Sequence, residues 1–281
     1  MNVLSLFDGM SCGQIALNRV GIVYDTYFAA EIDPYAIKVT KHNYPNTVHL
    51  GDVTAITGDS LPKIDLLIGG SPCQGFSNAG KHLNFEDPRS KLFFNYVKLL
   101  EELKPTYFLL ENVVMKKEWE EVITSYMDVK PVMINSALVS AQNRRRLYWT
   151  NIPFDTNIED KGIFFKDIKE HDVQDKALYY GEGAWRWIRS HEERKGKKLR
   201  IIGDMDKLQM LEASMYKKYS AQRFFGIPDT EGVRYISPLE CERAQTVPDN
   251  YTAFVSKTQR YKMLGNGWTV DVICRIFEGL K

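Results

Sequence analysis

Short apolar runs alternate with stretches of helical spacing through the first half of the chain. The apolar runs fall at residues 3–7, 26–30, 66–68, 106–110, 132–137 and 147–150. Segments in which apolar residues recur at helical spacing lie between them, at residues 13–20, 35–43, 90–103 and 116–127. This alternation is typical of parallel strands joined by crossover helices, so it predicts an α/β fold with a doubly wound, mostly parallel sheet. In such sheets ligands bind at the carboxyl ends of the strands.

The regular alternation fades in the second half of the chain. The segment that follows is polar, aromatic and unevenly charged, and a proline-bounded turn region and a closing apolar stretch at residues 261–280 come after it. We therefore predict a first domain over residues 1–154, a small separate domain over residues 155–232, and a support segment over residues 233–281 that returns to the first domain.

Composition and charge limit the classes of protein to which this chain could belong. Hydrophobic residues make up 44% and charged residues 26% of the 281, as in ordinary globular domains. The net charge of +1 does not indicate a polyanion ligand, so nucleic-acid binding would need a local basic strip. The four cysteines have no CxxC spacing, which predicts neither a zinc site nor a disulfide framework. Without a signal peptide or a long apolar run, we expect a cytoplasmic protein that does not contact membranes.

Acidic residues and a glycine turn follow the first three strands in order. Residues 7–13, Phe-Asp-Gly-Met-Ser-Cys-Gly, come between a strand and a helix but lack the GxGxxG spacing that a nicotinamide dinucleotide needs. Glu31 ends the second strand, where a carboxylate can accept hydrogen bonds from ribose hydroxyls. Asp52 follows the third strand and can accept from an adenine amine. Singly, each is an ordinary turn or a solvated acid; together they favour an adenosine-bearing cofactor.

A thiol and an acid follow the next two strands. Cys73 ends Gly-Gly-Ser-Pro-Cys at residues 69–73, where Pro72 restricts the backbone immediately after an apolar strand. Glu111 closes the apolar run at residues 106–110, and a buried glutamate there could deliver a proton. The plainer alternatives are a small buried cysteine and a solvent-facing acid. A thiol beside an acid at one sheet edge instead indicates nucleophilic catalysis.

A basic segment supplies the local charge that the whole chain lacks. Between residues 185 and 200 there are seven lysines and arginines against two glutamates. We predict that this basic segment contacts nucleic acid through phosphates or base edges. An exposed helix with ordinary solvated lysines is the alternative.

The order of these features resembles the cytosine-5 DNA methyltransferase family. The resemblance includes the Pro72-Cys73 motif, the Glu-Asn-Val motif at 111–113, Gln-Asn-Arg-Arg-Arg at 142–146 and Gly-Asn-Gly-Trp-Thr-Val at 265–270. It implies a Rossmann-like methyltransferase fold with a smaller target-recognition domain at residues 155–232. Ser11 and Cys12 replace two glycines that many members carry, which makes this loop more like the eukaryotic de novo branch. The short chain resembles bacterial or phage enzymes, which implies a monomer that is solitary or has a cognate restriction endonuclease.

The resemblance also implies the chemistry. The Cys73 thiolate adds to carbon-6 of a cytosine flipped out of duplex DNA while Glu111 protonates nitrogen-3, and carbon-5 then takes the methyl group of S-adenosyl-L-methionine, leaving S-adenosyl-L-homocysteine. Arg146 would hydrogen-bond the base carbonyl, and Arg144 would orient Glu111. No metal is required.

The remaining expected contacts also come from the resemblance. The residues expected to bind the cofactor are Phe7, Asp8, Gly9, Gly13, Glu31, Ile32, Asp52, Val53, Pro72, Asn266, Gly267 and Trp268. Residues 78–92 are expected to form a lid over the base. The residues expected to contact DNA are Ser77, Lys81, Arg89, Gln142, Arg186, Arg189, Lys195, Lys197, Lys198 and Arg200.

Three rival functions are weaker. A related enzyme methylates cytosine in transfer RNA, but its branch typically carries a Cys-Phe-Thr tripeptide that this chain lacks. A catalytically silent DNA-binding regulator would not need Cys73, Glu111 and Arg146 together. An NAD-dependent oxidoreductase is disfavoured by the glycine spacing.

Overall fold

The chain divides into two units in this computed structural model, which describes residues 1–71, 88–218 and 224–281, with only the backbone of residues 88–91. The first unit comprises residues 1–135, 145–158 and 270–281, and the second comprises residues 136–144 and 159–269. The second unit therefore includes residues 233–269, which the sequence-based division had placed with the support segment.

A seven-stranded sheet forms the centre of the first unit. Its strands lie in the order β3-β2-β1-β4-β5-β8-β6, and only β8 runs antiparallel to its neighbours. This confirms the predicted α/β class with a mostly parallel sheet. The strands are β1 (Asn2–Leu6), β2 (Thr26–Ala30), β3 (Val48–His49), β4 (Leu66–Gly69), β5 (Tyr107–Val113), β6 (Val132–Asn135) and β8 (Arg145–Thr150).

The helices of the first unit begin and end where local sequence signals place them. Asp33 caps one helix by accepting a hydrogen bond from the Tyr35 amide, with Pro34 in the first helical position. Gly21 ends another in the left-handed conformation at φ 75°. These helices are α1 (Cys12–Val20), α2 (Pro34–Asn43), α3 (Pro88–Leu103), α4 (Lys117–Met127) and α9 (Val270–Phe277).

The core of the first unit lies on both faces of the central strands. Leu4 and Leu67 of β1 and β4 are fully buried, as expected for parallel strands covered by helices on both sides. Trp149 of β8 is also fully buried, and its indole nitrogen donates to Thr124 of α4. This packing fixes the strand ends that carry the expected site residues.

The second unit contains short strands and helices held by buried charges. Arg234 is fully buried, contacts Asp229, and donates to Glu240 through two hydrogen bonds of 2.8 and 2.9 Å. These paired charges tie residues 233–269 to the rest of the second unit. Its elements are β7 (Gln142–Asn143), α5 (Phe165–Ile168), α6 (Glu182–Lys195), β9 (Arg200–Ile201), β10 (Leu208–Gln209), β11 (Phe225–Asp229), β12 (Gly232–Arg234), α7 (Pro238–Ala244) and α8 (Lys257–Asn266).

Within the described ranges, no helix has the length and apolar character needed to cross a membrane.

Candidate active site

The loop between β1 and α1, residues 7–11, has an unusual backbone. Phe7, Gly9 and Ser11 all adopt left-handed conformations, with φ of 57°, 58° and 66°. Glycine accepts this conformation readily, whereas Phe7 and Ser11 must be held in it by their surroundings. The Ser11 amide donates to the Asp8 carbonyl, and the Ser11 hydroxyl accepts from the Gln14 side chain. We call residues 7–11 the first loop.

Gly13 permits close packing beneath the first loop. A Cβ atom at this position would lie 2.7 Å from the Tyr27 hydroxyl and 2.5 Å from Cδ1 of Ile68. Both side chains come from the sheet, so only glycine lets the start of α1 approach β2 and β4 this closely. The glycine expected to bind the cofactor is therefore required for packing.

The Asp8 side chain is hydrogen-bonded to Tyr27 of β2, whose hydroxyl donates to Oδ1 at 2.8 Å. Its other oxygen, Oδ2, is buried and accepts no hydrogen bond from the residues that the structure describes. Burial raises the pKa of Asp8 to about 6, with a smaller upward contribution from Glu31, while hydrogen bonding to Ser5, Tyr27 and Ser11 lowers it.

Glu31 joins the ends of β1 and β2. Its Oε2 accepts from the Gly9 amide at 2.7 Å, and its Oε1 accepts from the amides of Ile32 and Asp33, both at 2.8 Å. The carboxylate keeps further lone pairs for ribose hydroxyls. Ile32, beside it, is 70% exposed, which leaves an apolar surface next to a hydrogen-bond acceptor.

Asp52 follows β3 at the same edge of the sheet. Its Oδ1 accepts from the backbone amide and the hydroxyl of Thr54, each at 2.9 Å, and these bonds lower the pKa of Asp52. The side chain is exposed, and the next residue, Val53, is buried. A fixed carboxylate beside an apolar residue fits the amine and ring of adenine.

Cys73 lies outside the described residues, as do Pro72, Ser77, Lys81 and the side chain of Arg89. The described chain reaches Ser71 after β4. The Ser71 hydroxyl accepts from Nδ2 of Asn112 at 3.2 Å, and both residues are buried. Asn112 thus holds the side chain of Ser71, two residues before the thiol in sequence, a role that sequence reasoning missed although an amide in an apolar run was the available signal.

Glu111 and Arg146 form an ion pair on neighbouring strands. Nε of Arg146 lies 2.9 Å from Oε1 of Glu111, and both residues are buried. Glu111 pairs with Tyr148 and Arg146 pairs with Val113 in the β5–β8 register, so the two side chains are diagonal neighbours on one face. The expected acid and the expected base-binding arginine are thus brought together.

Arg144, which is expected to orient Glu111, is held by backbone carbonyls of the second unit. Arg144, in the second unit, is buried and donates to the carbonyls of Leu211, Gly265 and Gly267 at 3.0 to 3.3 Å. Arg146 contacts Glu111, because the antiparallel register brings position 146 diagonally across from position 111.

Gln142, a predicted DNA contact, lies inside the second unit. It is fully buried, and its amide bonds to the Ala244 carbonyl, the Gln245 side chain and the Leu211 amide. Gln245 in turn donates to the carbonyls of Leu264 and Gly267. No sequence pattern pointed to Gln245, whose amide makes four hydrogen bonds when the one from Thr269 is included.

The last residue of α8 and the turn after it carry three residues expected to bind the cofactor. Asn266 is exposed, and Gly267 and Trp268 are half-buried. Gly265 packs so tightly that a Cβ atom would lie 2.2 Å from the Ala213 amide nitrogen. Within the second unit, the hydrogen bonds from Arg144 and Gln245 and the packing of Gly265 together define the shape of this turn.

The basic segment forms α6 and the loop after it. Arg186, Arg189, Lys195, Lys197 and Lys198 are exposed, and none forms an ion pair within residues 1–71, 88–218 and 224–281. Arg200 differs, because it is half-buried and its guanidinium reaches the Lys207 carbonyl at 3.3 Å and Asp206 at 3.6 Å. Arg200, also a predicted DNA contact, therefore has polar partners within the second unit.

No cluster of three or more histidine, cysteine or acidic residues that could hold a metal occurs in the part of the chain that the structure describes. Cys12, Cys241 and Cys274 are buried, as expected for packing residues.

Comparison with known proteins identifies a single family. The family described as C-5 cytosine-specific DNA methylase matches residues 1–281. The type II methyltransferase M1.ScrFI of Lactococcus lactis subsp. cremoris is 30% identical over 98% of this chain and 77% of its own length. M.HpaII of Haemophilus parainfluenzae is 28% identical over 96% and 86%, and the orphan methyltransferase M.SPRI of Bacillus phage SPR is 37% identical over 63% and 43%.

Solved structures share the fold. The Entamoeba histolytica methyltransferase EhMeth superposes with a TM-score of 0.82 at 19% identity, covering 100% of this chain and 99% of that one. Spodoptera frugiperda DNMT2 superposes with a TM-score of 0.77 at 21% identity, covering 99% of both chains.

Proposed function

This chain belongs to the C-5 cytosine-specific DNA methylase family, and from that membership we propose that it methylates carbon-5 of a cytosine flipped out of duplex DNA through a covalent Cys73 adduct. The observation that carries the proposal is the buried pair of Glu111 and Arg146 at 2.9 Å. It lies on β5 and β8, and β5 is the strand beside the one that leads to Cys73.

The ends of β1, β2 and β3 support a site for S-adenosyl-L-methionine. We infer that Glu31 binds the ribose hydroxyls, that Asp52 binds the adenine amine, and that Ile32 and Val53 cover the adenine faces. When bound, this cofactor supplies an electrophilic methyl group on a sulfonium. Family resemblance also implies cofactor contacts from Asn266, Gly267 and Trp268.

The residues that act on the base have separate tasks. The sulfur of Cys73 forms a bond to carbon-6, and the ring electrons move toward carbon-5. Glu111 delivers a proton to nitrogen-3, and Arg146 fixes Glu111 and binds the base carbonyl. After carbon-5 has gained the methyl group, it loses its proton to water. The carbon–sulfur bond then breaks, the thiolate leaves and nitrogen-3 returns its proton to Glu111, which restores the neutral aromatic ring.

Base flipping follows from this chemistry. Carbon-6 and the ring faces are covered by stacking inside a duplex, so attack by Cys73 needs an extruded base. We infer that the basic segment grips the DNA during this step. Since the relatives are bacterial type II enzymes and a phage orphan enzyme, we place its action in the cytoplasm of a bacterial or phage-infected cell, as a solitary enzyme or beside a restriction endonuclease.

A substrate comparison tests the proposal. The protein is incubated with cofactor labelled in the methyl group and with genomic DNA that lacks 5-methylcytosine, or with unmodified transfer RNA. We expect label in 5-methylcytosine at one recurring DNA sequence, read by methylation-sensitive sequencing. Labelling of transfer RNA with none in DNA would contradict the proposal and would favour the RNA-methylating rival.

We expect the basic segment to set the salt dependence of DNA binding. Changing Lys195, Lys197 and Lys198 together to glutamine should weaken binding and reduce the slope of log affinity against log salt by about 0.9 for each phosphate that these lysines neutralise. The measurement is fluorescence anisotropy with a labelled duplex at several salt concentrations.

A matched triple variant controls for net charge. Lys63, Lys104 and Lys130 belong to the first unit and lie outside the basic segment, so changing them to glutamine should leave the slope unaltered. If the slope is unchanged when Lys195, Lys197 and Lys198 are replaced, these three lysines do not contact DNA phosphates.

A further inference from the structure

Two carboxylates meet at the first loop without a cation. Glu31 contacts the Gly9 amide, and Asp8 lies in the same loop. Neither forms an ion pair with a lysine, arginine or histidine of residues 1–71, 88–218 and 224–281. Carboxylates gathered in this way repel one another and attract a positive charge from outside the protein.

Asp8 is the more constrained of the two. The groups that face it are Ser5 of β1, Tyr27 of β2, Glu31 directly after β2, and Ser11 at the start of α1, and none of these side chains is positively charged. The Tyr27 hydroxyl donates a hydrogen bond to Oδ1. The buried Oδ2 has no hydrogen-bond partner among residues 1–71, 88–218 and 224–281. Burying an ionised carboxylate costs free energy when one of its oxygens accepts no hydrogen bond, and a nearby cation lowers that cost.

The cofactor and its product differ in charge at one atom. S-adenosyl-L-methionine carries a sulfonium, whereas S-adenosyl-L-homocysteine has a neutral thioether in its place. Their amino, carboxyl and adenosine groups are the same. A negative charge at the first loop therefore distinguishes the two ligands by Coulomb attraction to the sulfonium alone.

We propose that Asp8 is a specificity-determining residue whose ionised side chain favours the cationic cofactor over the neutral product at the first loop. The inference rests on the proposed function, because it requires the cofactor to bind there. Tyr27 is a positioning residue that holds Asp8 in its ionised form. Preference for the cofactor over the product limits inhibition by the product.

The preference must depend on pH. Burial and Glu31 raise the pKa of Asp8 to about 6, so the side chain is mostly protonated at about pH 5 and mostly ionised at about pH 7.5. Only the ionised form attracts the sulfonium. The ratio of cofactor affinity to product affinity should therefore rise with pH, and bound cofactor should lower the pKa of Asp8.

Isothermal titration calorimetry on the full chain tests this without any turnover. The dissociation constants of both ligands are measured at about pH 5 and about pH 7.5. We expect the cofactor-to-product affinity ratio of the wild type to rise about three- to tenfold between these values. Asp8→Asn should hold the ratio at its low-pH value, whereas Asp59→Asn, which removes an exposed acid of the first unit, should leave the rise intact.

The Tyr27→Phe variant distinguishes loss of the hydrogen bond to Asp8 from a general loss of structure. It removes the hydrogen bond that lowers the pKa of Asp8, so the midpoint of the rise should move to higher pH. If both ligands bind the wild type with a ratio that does not change with pH, the inference is overturned while the proposed function stands. If neither ligand binds, the cofactor assignment fails and the inference with it. The wild-type titration decides the matter even where a variant does not fold.

Discussion

Cys73→Ser should lower the rate of methyl transfer by at least about a thousandfold and leave the affinity for S-adenosyl-L-methionine within about twofold. A serine hydroxyl is nearly isosteric with the thiol, but it is a much weaker nucleophile at neutral pH. Carbon-5 remains unreactive unless carbon-6 has been attacked, so no other residue can compensate. Transfer of labelled methyl groups to a target duplex measures the rate, and calorimetry measures cofactor affinity.

The other cysteines provide the matched control. Cys241 is buried in α7 and has no expected chemical role, so Cys241→Ser should retain the turnover rate of the folded protein even if it lowers stability. A Cys73→Ser enzyme with more than about a tenth of wild-type turnover would exclude the thiol mechanism.

Glu111→Gln should lower the turnover rate by about a hundred- to ten-thousandfold, which is the usual contribution of a positioned general acid. Glutamine keeps the shape and can still hydrogen-bond, but it cannot deliver a proton to nitrogen-3. Because Glu111 is buried against Arg146, the substitution also leaves the guanidinium without its counter-charge. Single-turnover kinetics on a target duplex separates the chemical step from DNA binding.

Two further variants distinguish catalysis from general charge effects. Glu118→Gln removes an exposed acid of α4 and should leave turnover unchanged. Arg146→Ala combined with Glu111→Gln should lose less than the product of the two single effects, since both residues act as one pair. Full additivity, or a Glu111→Gln enzyme with near wild-type turnover, would show that the pair does not act on the base.

The strands and helices of the first unit follow from local pattern. The apolar run at residues 66–68 predicted a strand, and the structure has β4 there. The capping residue and the proline that begin α2 are both recognisable in the sequence. The acids at the strand ends were also predictable, because Glu31 follows β2 directly and Asp52 comes soon after β3. Parallel strands place such residues at one edge whatever the details of packing.

The arginine assignments could not be read from the sequence in the same way. Arg144 and Arg146 are two residues apart, and which one meets Glu111 depends on the β5–β8 register. A shift of two residues in that register would exchange them. Gln142 resembles a surface polar residue in sequence, yet its partner Gln245 is 103 residues away in the chain and becomes a neighbour only through tertiary folding.

A covalent trap tests the central claim, a carbon–sulfur bond to Cys73, most directly. A duplex with 5-fluorocytosine at the target position is incubated with the protein and cofactor, since fluorine at carbon-5 prevents the final loss of a proton and stops release. We expect a denaturation-resistant complex whose mass equals protein plus methylated duplex strand, with the strand attached at position 73, and no complex with Cys73→Ser. Absence of that complex for the wild type, on a duplex that is methylated when it carries ordinary cytosine, would contradict the account.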